Sequence, residues 1–251
     1  IWEEFLREYR FSEYAGSVLL YLGGMSEKEK KYSEAAKYYR RIVDEYKDSL
    51  WFQEALFSLG HLYWNKGEIE DAEAYFRKLA GQSGPLAVKG KLYMAKILSQ
   101  KGEKEKALAL YNELSENDSV SGIALLNKAF LLKDLKQYSE AVEDFYKVIK
   151  SGFDNPEIRF SLALCLEKTG DVDRAIGEYF KAIYEFSEEK DSLSSQEGAK
   201  NYAVKSYFRL AKLYEKKSET KEAARIYQKI IDLGVSEAKI AEKRLEELGV
   251  E

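Results

Sequence analysis

The sequence is poor in the residues that commonly bind metals, form disulfides or interrupt helices. Its 251 residues include one cysteine, one histidine and two prolines. A single cysteine excludes an intramolecular disulfide framework, and together with a single histidine it excludes the usual zinc ligand sets within the chain. The scarcity of proline, beside abundant alanine, leucine, lysine and glutamate, predicts a chain built almost wholly of helices.

The sequence also lacks an excess of charge of one sign and a long apolar run. There are 40 basic and 44 acidic side chains, giving a formal net charge of -4, so no global basic field would attract a phosphate backbone. No apolar run approaches the roughly 20 residues that a membrane-spanning helix requires. We therefore expect a foldable chain that binds no nucleic acid and does not insert into a membrane.

Three positions recur along the chain at a fixed spacing. A Gly or Ala is followed 12 positions later by Ala and 16 positions later by Tyr or Phe, and this happens six times. The period predicts stacked pairs of antiparallel helices. Small residues are expected where the two helices of a pair cross closely, and the aromatic is expected to fill space towards the neighbouring pair. The middle alanines of the six matches are Ala35, Ala72, Ala107, Ala141, Ala175 and Ala223.

A turn is expected between the two helices of each pair. Glycine occupies the turn position in three repeats and suits a helix end in the left-handed conformation. In the other three repeats the same position holds Lys30, Lys136 and Ser218, which predicts that those turns close differently. Asn155, directly before Pro156, is expected to cap the start of a helix.

The repeat resembles the tetratricopeptide repeat (TPR) family, whose unit is a 34-residue helix-turn-helix. The unit that begins near Gln53 matches best, with Leu56, Leu59-Gly60, Tyr63, Ala72, Phe76 and Leu79 at the pattern positions. The resemblance implies an all-α fold, a right-handed superhelical solenoid of antiparallel helix pairs. Residues 39–63 are also similar to a bacterial subset of the family that serves envelope assembly in the periplasm, although the likeness leaves a cytoplasmic location open.

The period divides the chain into predicted repeats. Residues 1–11 align with the second helix of a repeat, Trp2 opposite Tyr39 and Phe5 opposite Ile42, so we expect a half repeat that leaves Trp2 and Phe5 partly uncovered. The insertion at 187–199 is expected to be a surface loop or an extension of the helices that acts as a spacer, and 236–251 to be a capping helix. The six full repeats are predicted at 12–49, 50–84, 85–119, 120–154, 155–186 and 200–235.

The resemblance further implies that the first helix of each repeat lines a concave groove. The middle of this groove is aromatic and aliphatic, which suits an apolar helix or an extended peptide, and its C-terminal end is basic. Two other interpretations stay open: the apolar positions serve repeat packing, and the lone histidine is an ordinary polar surface group. The predicted partner-binding residues are Tyr21, Phe57, His61, Trp64, Tyr93, Lys96, Asn127, Phe130, Phe160, Leu164, Phe208, Arg209 and Lys212.

We therefore predict a non-catalytic scaffold, without cofactor or metal, that binds a peptide or helix of a protein partner in this groove. A structural unit that self-associates through its repeat ends, giving a homo-oligomer through the half repeat, is one alternative. An accessory domain of a larger enzyme or envelope complex is another. Some family members grip a C-terminal carboxylate with a Lys and an Asn on the first helix. The corresponding positions here hold other pairs, such as Phe57 with His61 and Leu92 with Lys96, which disfavours that clamp.

Overall fold

The helices expected from composition form throughout the part of the chain that the structure describes. The computed structural model describes residues 2–188 and 193–249, and in these ranges it contains α-helices and no β-strand. The helices are α1 (Trp2–Glu8), α2 (Ala15–Lys28), α3 (Tyr32–Glu45), α4 (Phe52–Lys66), α5 (Ile69–Ala80), α6 (Pro85–Gln100), α7 (Lys104–Ser115), α8 (Ser121–Asp134), α9 (Tyr138–Lys150), α10 (Pro156–Thr169), α11 (Val172–Glu188), α12 (Leu193–Lys216), α13 (Thr220–Asp232) and α14 (Ala238–Leu248).

Helix pairs stack in sequence order within each of two units, 1–124 and 125–251. In unit 1 the hairpins α2–α3, α4–α5 and α6–α7 pack in series, and α2, α4 and α6 also contact one another in that order. In unit 2 the hairpins α10–α11 and α12–α13 pack in the same way, α10 contacts α12, and α14 packs on α13. The predicted all-α class with antiparallel helix pairs is therefore confirmed.

The recurring small residue makes room for the recurring aromatic of its own hairpin. A Cβ added at Gly60 would lie 2.7 Å from Phe76 Cε1, and one at Gly23 would lie 2.7 Å from Tyr39 Cδ1. Phe76 also stacks on Tyr93 of the next hairpin, with 4.4 Å between ring centroids. The expected contact with the neighbouring pair is thus present, but the size of the small residue is set by the ring and not by helix crossing alone. All six recurring aromatics are buried.

The six turns inside the hairpins all close in the same way, so the prediction of a different closure at three of them is wrong. Lys30, Lys136 and Ser218 have φ of 60°, 63° and 59°, in the left-handed region that the glycines of the other three turns also occupy. In each turn the residue after the left-handed one donates its N–H five residues back, as Lys31 does to the Ser26 carbonyl at 2.8 Å and Gln137 to Leu132 at 2.9 Å. This hydrogen bond satisfies a helix-end carbonyl and outweighs the side-chain preference.

The start of α10 follows the sequence signal. Pro156 is the first residue of α10, and the Asn155 side chain accepts a hydrogen bond from the Ile158 N–H at 3.0 Å. The described part of the 187–199 insertion continues α11 to Glu188 and begins α12 at Leu193, while residues 189–192 of that predicted segment lie outside the described residues.

Candidate partner-binding faces

The predicted groove residues lie on the first helices of the hairpins and none of them is buried. We call the surface of α2, α4 and α6 the first-helix face of unit 1, and the surface of α10, α12 and residues 125–134 of α8 the first-helix face of unit 2. The unit 1 face carries Tyr21, Phe57, His61, Trp64, Tyr93 and Lys96, and the unit 2 face carries Asn127, Phe130, Phe160, Leu164, Phe208, Arg209 and Lys212.

Four half-exposed rings meet on the unit 1 face around Tyr93. The Tyr93 ring centroid lies 5.8 Å from that of Phe57, 6.1 Å from that of His61 and 5.9 Å from that of Trp64, each in an edge-on geometry. His61 also stacks on Phe57 at 6.0 Å. We call Phe57, His61, Trp64 and Tyr93 the aromatic cluster.

Helical spacing explains why these side chains share one face. Phe57, His61 and Trp64 are separated by four and three residues on α4, which places them one above the other. The Phe76 ring packs beneath Tyr93 and fixes its height on the face. His61 Nδ1 lies 3.1 Å from Asn65 Nδ2, one turn further along α4. The cluster is a preformed, partly apolar surface with hydrogen-bonding groups at its margin.

Two lysines adjoin the aromatic cluster. The Lys96 Nζ lies 5.0 Å from the Tyr93 ring centroid, and the Lys89 Nζ lies 5.8 Å from that of Phe57. Half-burial of Lys96 lowers the pKa of its ammonium group, because desolvation disfavours the charged form. Burial likewise raises the pKa of Tyr93. The sequence interpretation omitted Lys89, although its place four residues before Tyr93 on α6 was a usable signal.

On the unit 2 face, three phenylalanines each contact the recurring aromatic of their own hairpin, as Phe57 contacts Phe76 in unit 1. Phe130 meets Phe145 edge-on at 5.3 Å between centroids. Phe208 meets Tyr227 at 6.3 Å, and Phe160 meets Tyr179 at 5.7 Å. Phe160 also meets Tyr202 of α12 at 5.6 Å, but within the described residues no ring contact joins Phe130, Phe160 and Phe208 to one another.

The basic end predicted for the groove is partly neutralised in unit 2. Arg209 Nη1 lies 3.5 Å from Glu167 Oε1, while the Tyr179 hydroxyl donates to the other oxygen of Glu167 at 2.9 Å. Lys212 is exposed. Sequence reasoning missed Glu167 as the partner of Arg209, because the two residues are 42 positions apart.

Tyrosine hydroxyls hold carboxylates at equivalent places in three hairpins. Tyr39 donates to Glu27 at 2.7 Å and Tyr227 to Glu215 at 2.6 Å, as Tyr179 does to Glu167. Burial is the main cause that raises the pKa of each of these tyrosines, and the adjacent carboxylate raises it further. The constant spacing of 12 residues between Glu and Tyr was a sequence signal for this pair. These three glutamates, which lie on first helices, are thus already hydrogen-bonded within their own hairpins.

A separate apolar patch lies where α1 meets α2. Trp2 and Tyr21 are 49% and 56% exposed, and their ring centroids are 6.3 Å apart. With Ser17 and Val18 they line a pocket of about 320 Å³. The sequence-based expectation that Trp2 would be partly uncovered agrees with this exposure, and Phe5 is half-buried.

Within the described ranges, the structure contains no group of three or more His, Cys, Asp or Glu side chains arranged to hold a metal ion. The same part of the chain contains no helix that is both long and apolar enough to cross a bilayer. Cys165 is buried, and burial raises the pKa of its thiol to about 12.

Stacked hairpins whose first helices share one face define a helical repeat protein, a class of protein-interaction scaffold. One tetratricopeptide repeat model matches residues 57–122 and 126–191, and a second matches 17–49 and 205–233. These matches cover more than half of the chain, which therefore belongs to the tetratricopeptide repeat family.

Two curated proteins are similar in sequence. The chain is 28% identical over 243 residues to the TPR repeat-containing protein MJ1428 of Methanocaldococcus jannaschii, covering 86% of this chain and 38% of that protein. It is 32% identical over 90 residues to the general transcriptional corepressor trfA of Dictyostelium discoideum, covering 36% of this chain and 6% of trfA. The chain thus matches well under two thirds of the length of either relative.

Solved structures share the fold at lower identity. A tetratricopeptide repeat protein from Parabacteroides merdae superposes with a TM-score of 0.61 at 17% identity, covering 94% of this chain and 99% of that chain. MamA from Desulfovibrio magneticus RS-1 gives 0.59 at 17% identity, covering 72% and 94%. Identities at this level show the fold alone.

Proposed function

We propose that this chain is a non-catalytic scaffold that binds an apolar peptide or helix of a protein partner on its first-helix faces. The observation that carries the proposal is the aromatic cluster of unit 1. Phe57, His61 and Trp64 each contact the Tyr93 ring, and the four half-exposed rings come from two successive first helices. Aromatic side chains dominate binding hot spots because they bury a large area at little entropic cost.

The cluster can supply binding energy without rearrangement. Tyr93 is held from below by the buried Phe76 ring, and Trp64 and Phe57 contact its edges. A preformed surface avoids the ordering cost that weakens association. The Trp64 ring already has protein on one side. An apolar side chain of the partner would cover its other side and exclude the remaining water, and full exclusion of water is typical of binding hot spots.

Trp64→Ala tests this function. Selection of a phage-displayed peptide library on the wild-type chain should enrich apolar sequences, and Trp64→Ala should bind the selected peptides about 30-fold more weakly, the effect of losing about 2 kcal/mol. The matched control is Phe11→Ala, which removes a ring that is 95% exposed and lies outside this face. Equal binding by wild type and Trp64→Ala, with both folded, would refute the assignment.

A second candidate function, self-association, is favoured by the apolar patch at Trp2 and Tyr21. Two exposed rings around a pocket of about 320 Å³ could seat a side chain of another copy. Sedimentation of Trp2→Asp against wild type tests it, because an oligomer that uses this patch should dissociate while peptide binding at Trp64 persists. A wild type that stays monomeric at high concentration would remove this candidate.

A further inference from the structure

The charged group of Lys96 has an unusual setting for a half-buried cation. Its Nζ contacts the face of the Tyr93 ring, and within the described residues it has no ion pair and no hydrogen bond. Desolvation lowers the pKa of this group with no carboxylate to oppose the shift. A ring face compensates only part of the lost hydration of an ammonium group.

Other lysines at partly buried places in this chain are paired with carboxylates. The Lys128 Nζ lies 3.0 Å from Asp144, and the Lys133 Nζ lies 3.8 Å from Asp134. Lys91, on the same helix as Lys96, lies 2.6 Å from Glu113. The fold thus supplies carboxylates to comparable cations elsewhere, whereas Lys96 has no acidic partner within the part of the chain that the structure describes.

Resting on the function proposed above, we propose that the segment bound by the aromatic cluster carries an Asp or Glu side chain that pairs with the Lys96 ammonium group. The Lys96 Nζ and the Trp64 ring lie 5.0 and 5.9 Å from the centre of the same Tyr93 ring. The acidic and the apolar side chain of the partner are therefore close neighbours, such as residues three or four apart on a helix.

The charge distribution around the cluster supports an acidic partner. Lys89, above the Phe57 ring, is a second cation on α6 with no carboxylate partner within the described residues. Glu27, on the neighbouring first helix, is already hydrogen-bonded by Tyr39. An acidic segment would therefore meet two lysines without carboxylate partners, which favours association by charge complementarity.

A side-chain carboxylate fits this face better than a chain terminus. The first-helix position one turn before Lys96 holds Leu92, which is buried, and Lys96 itself lies inside α6, where backbone N–H groups are used within the helix. At the Tyr93 ring the face therefore offers the Lys96 ammonium group alone, since Lys89 lies above the Phe57 ring. One ammonium group suits one side-chain carboxylate flanked by apolar neighbours.

A double-mutant cycle tests the pairing. From peptides selected on the wild-type chain, one containing Glu is synthesised with blocked ends, together with its Glu→Gln analogue. Affinities of both are measured by calorimetry for wild type, Lys96→Met and the control Lys91→Met, which removes a charge from the same helix at a site already paired with Glu113. Lys96→Met should weaken the Glu peptide about tenfold and change the Gln peptide by less than about twofold. Lys91→Met should leave both within about twofold.

The outcomes separate this inference from the function on which it rests. Apolar peptides selected without any acidic preference, or equal losses for Glu and Gln peptides in Lys96→Met, would overturn the pairing while leaving the scaffold function intact. Binding that requires a free C-terminal carboxylate would overturn the side-chain assignment. Failure to select apolar peptides, with no effect of Trp64→Ala, would overturn the proposed function itself.

Discussion

Two adjacent glycines of α2 provide a test of how the hairpins pack, because only one of them lies beneath an aromatic ring. A Cβ at Gly23 would lie 2.7 and 2.8 Å from Cδ1 and Cζ of Tyr39, whereas a Cβ at Gly24 would have only the Tyr39 hydroxyl within 4 Å, at 3.9 Å. Tyr39 cannot easily move away, since it is 2% exposed and its hydroxyl is held by Glu27. Gly23→Ala should therefore strain the hairpin and Gly24→Ala should not.

The expected magnitudes follow from two opposing effects. Replacing glycine by alanine inside a helix stabilises it by about 1 kcal/mol. Forcing a methyl group into a filled core costs about 1–3 kcal/mol. Gly24→Ala should thus raise the free energy of unfolding by about 1 kcal/mol. The helix-propensity gain is common to both variants, so Gly23→Ala should be less stable than Gly24→Ala by about 1–3 kcal/mol.

Urea unfolding followed by circular dichroism measures both variants against wild type under one condition. The difference between the two variants isolates the contact with Tyr39, because charge, helix and substitution are the same. If Gly23→Ala and Gly24→Ala were stabilised equally, the Tyr39 ring would not lie over α2 as the structure shows. The explanation of the recurring small residue would then fail.

Three further predictions concern turns, caps and tyrosines. Lys136→Gly should raise the free energy of unfolding by about 1 kcal/mol, because φ of 63° is strained for lysine. The control Glu143→Gly, inside α9, should lower it by about 1 kcal/mol. A destabilised Lys136→Gly would contradict the turn geometry. Asn155→Ala should lower the free energy of unfolding by about 1 kcal/mol, because the hydrogen bond from the Ile158 N–H is lost. The control Asn201→Ala, at an exposed position, should change it little. Equal effects in urea unfolding would argue against the cap. The hydrogen bond to Glu3 raises the pKa of Tyr38 to about 12, and burial with Glu157 raises that of Tyr202 to about 12. A raised folded-state pKa means that the neutral tyrosines stabilise the folded chain, and this contribution to the free energy of unfolding should be intact below pH 10 and fall as the pH rises towards 12. The fall should be steeper in wild type than in the double variant Tyr38→Phe/Tyr202→Phe. Melting temperatures with the same pH dependence in both chains would refute this.

The hairpin architecture was predictable because its signals are local and periodic. A small residue followed at fixed distances by alanine and an aromatic marks one face of each helix, and the packing of Phe76 over Gly60 reproduces that spacing in space. The cap at Asn155 was predictable for the same reason, since it depends on close neighbours in the chain. The residues of the unit 1 face could be named, but not their mutual contacts.

Sequence alone therefore determined the helices and their pairing into hairpins. Tertiary structure decided the features that depend on groups far apart in the chain or on closure of a turn. It brought Phe57, Trp64 and Tyr93 together from two helices and paired Arg209 with Glu167. Within the described residues it also left Lys96 beside a ring with no carboxylate partner. It also placed Lys136 in the left-handed region, because a hydrogen bond across the turn outweighs an intrinsic backbone preference that sequence statistics record only on average.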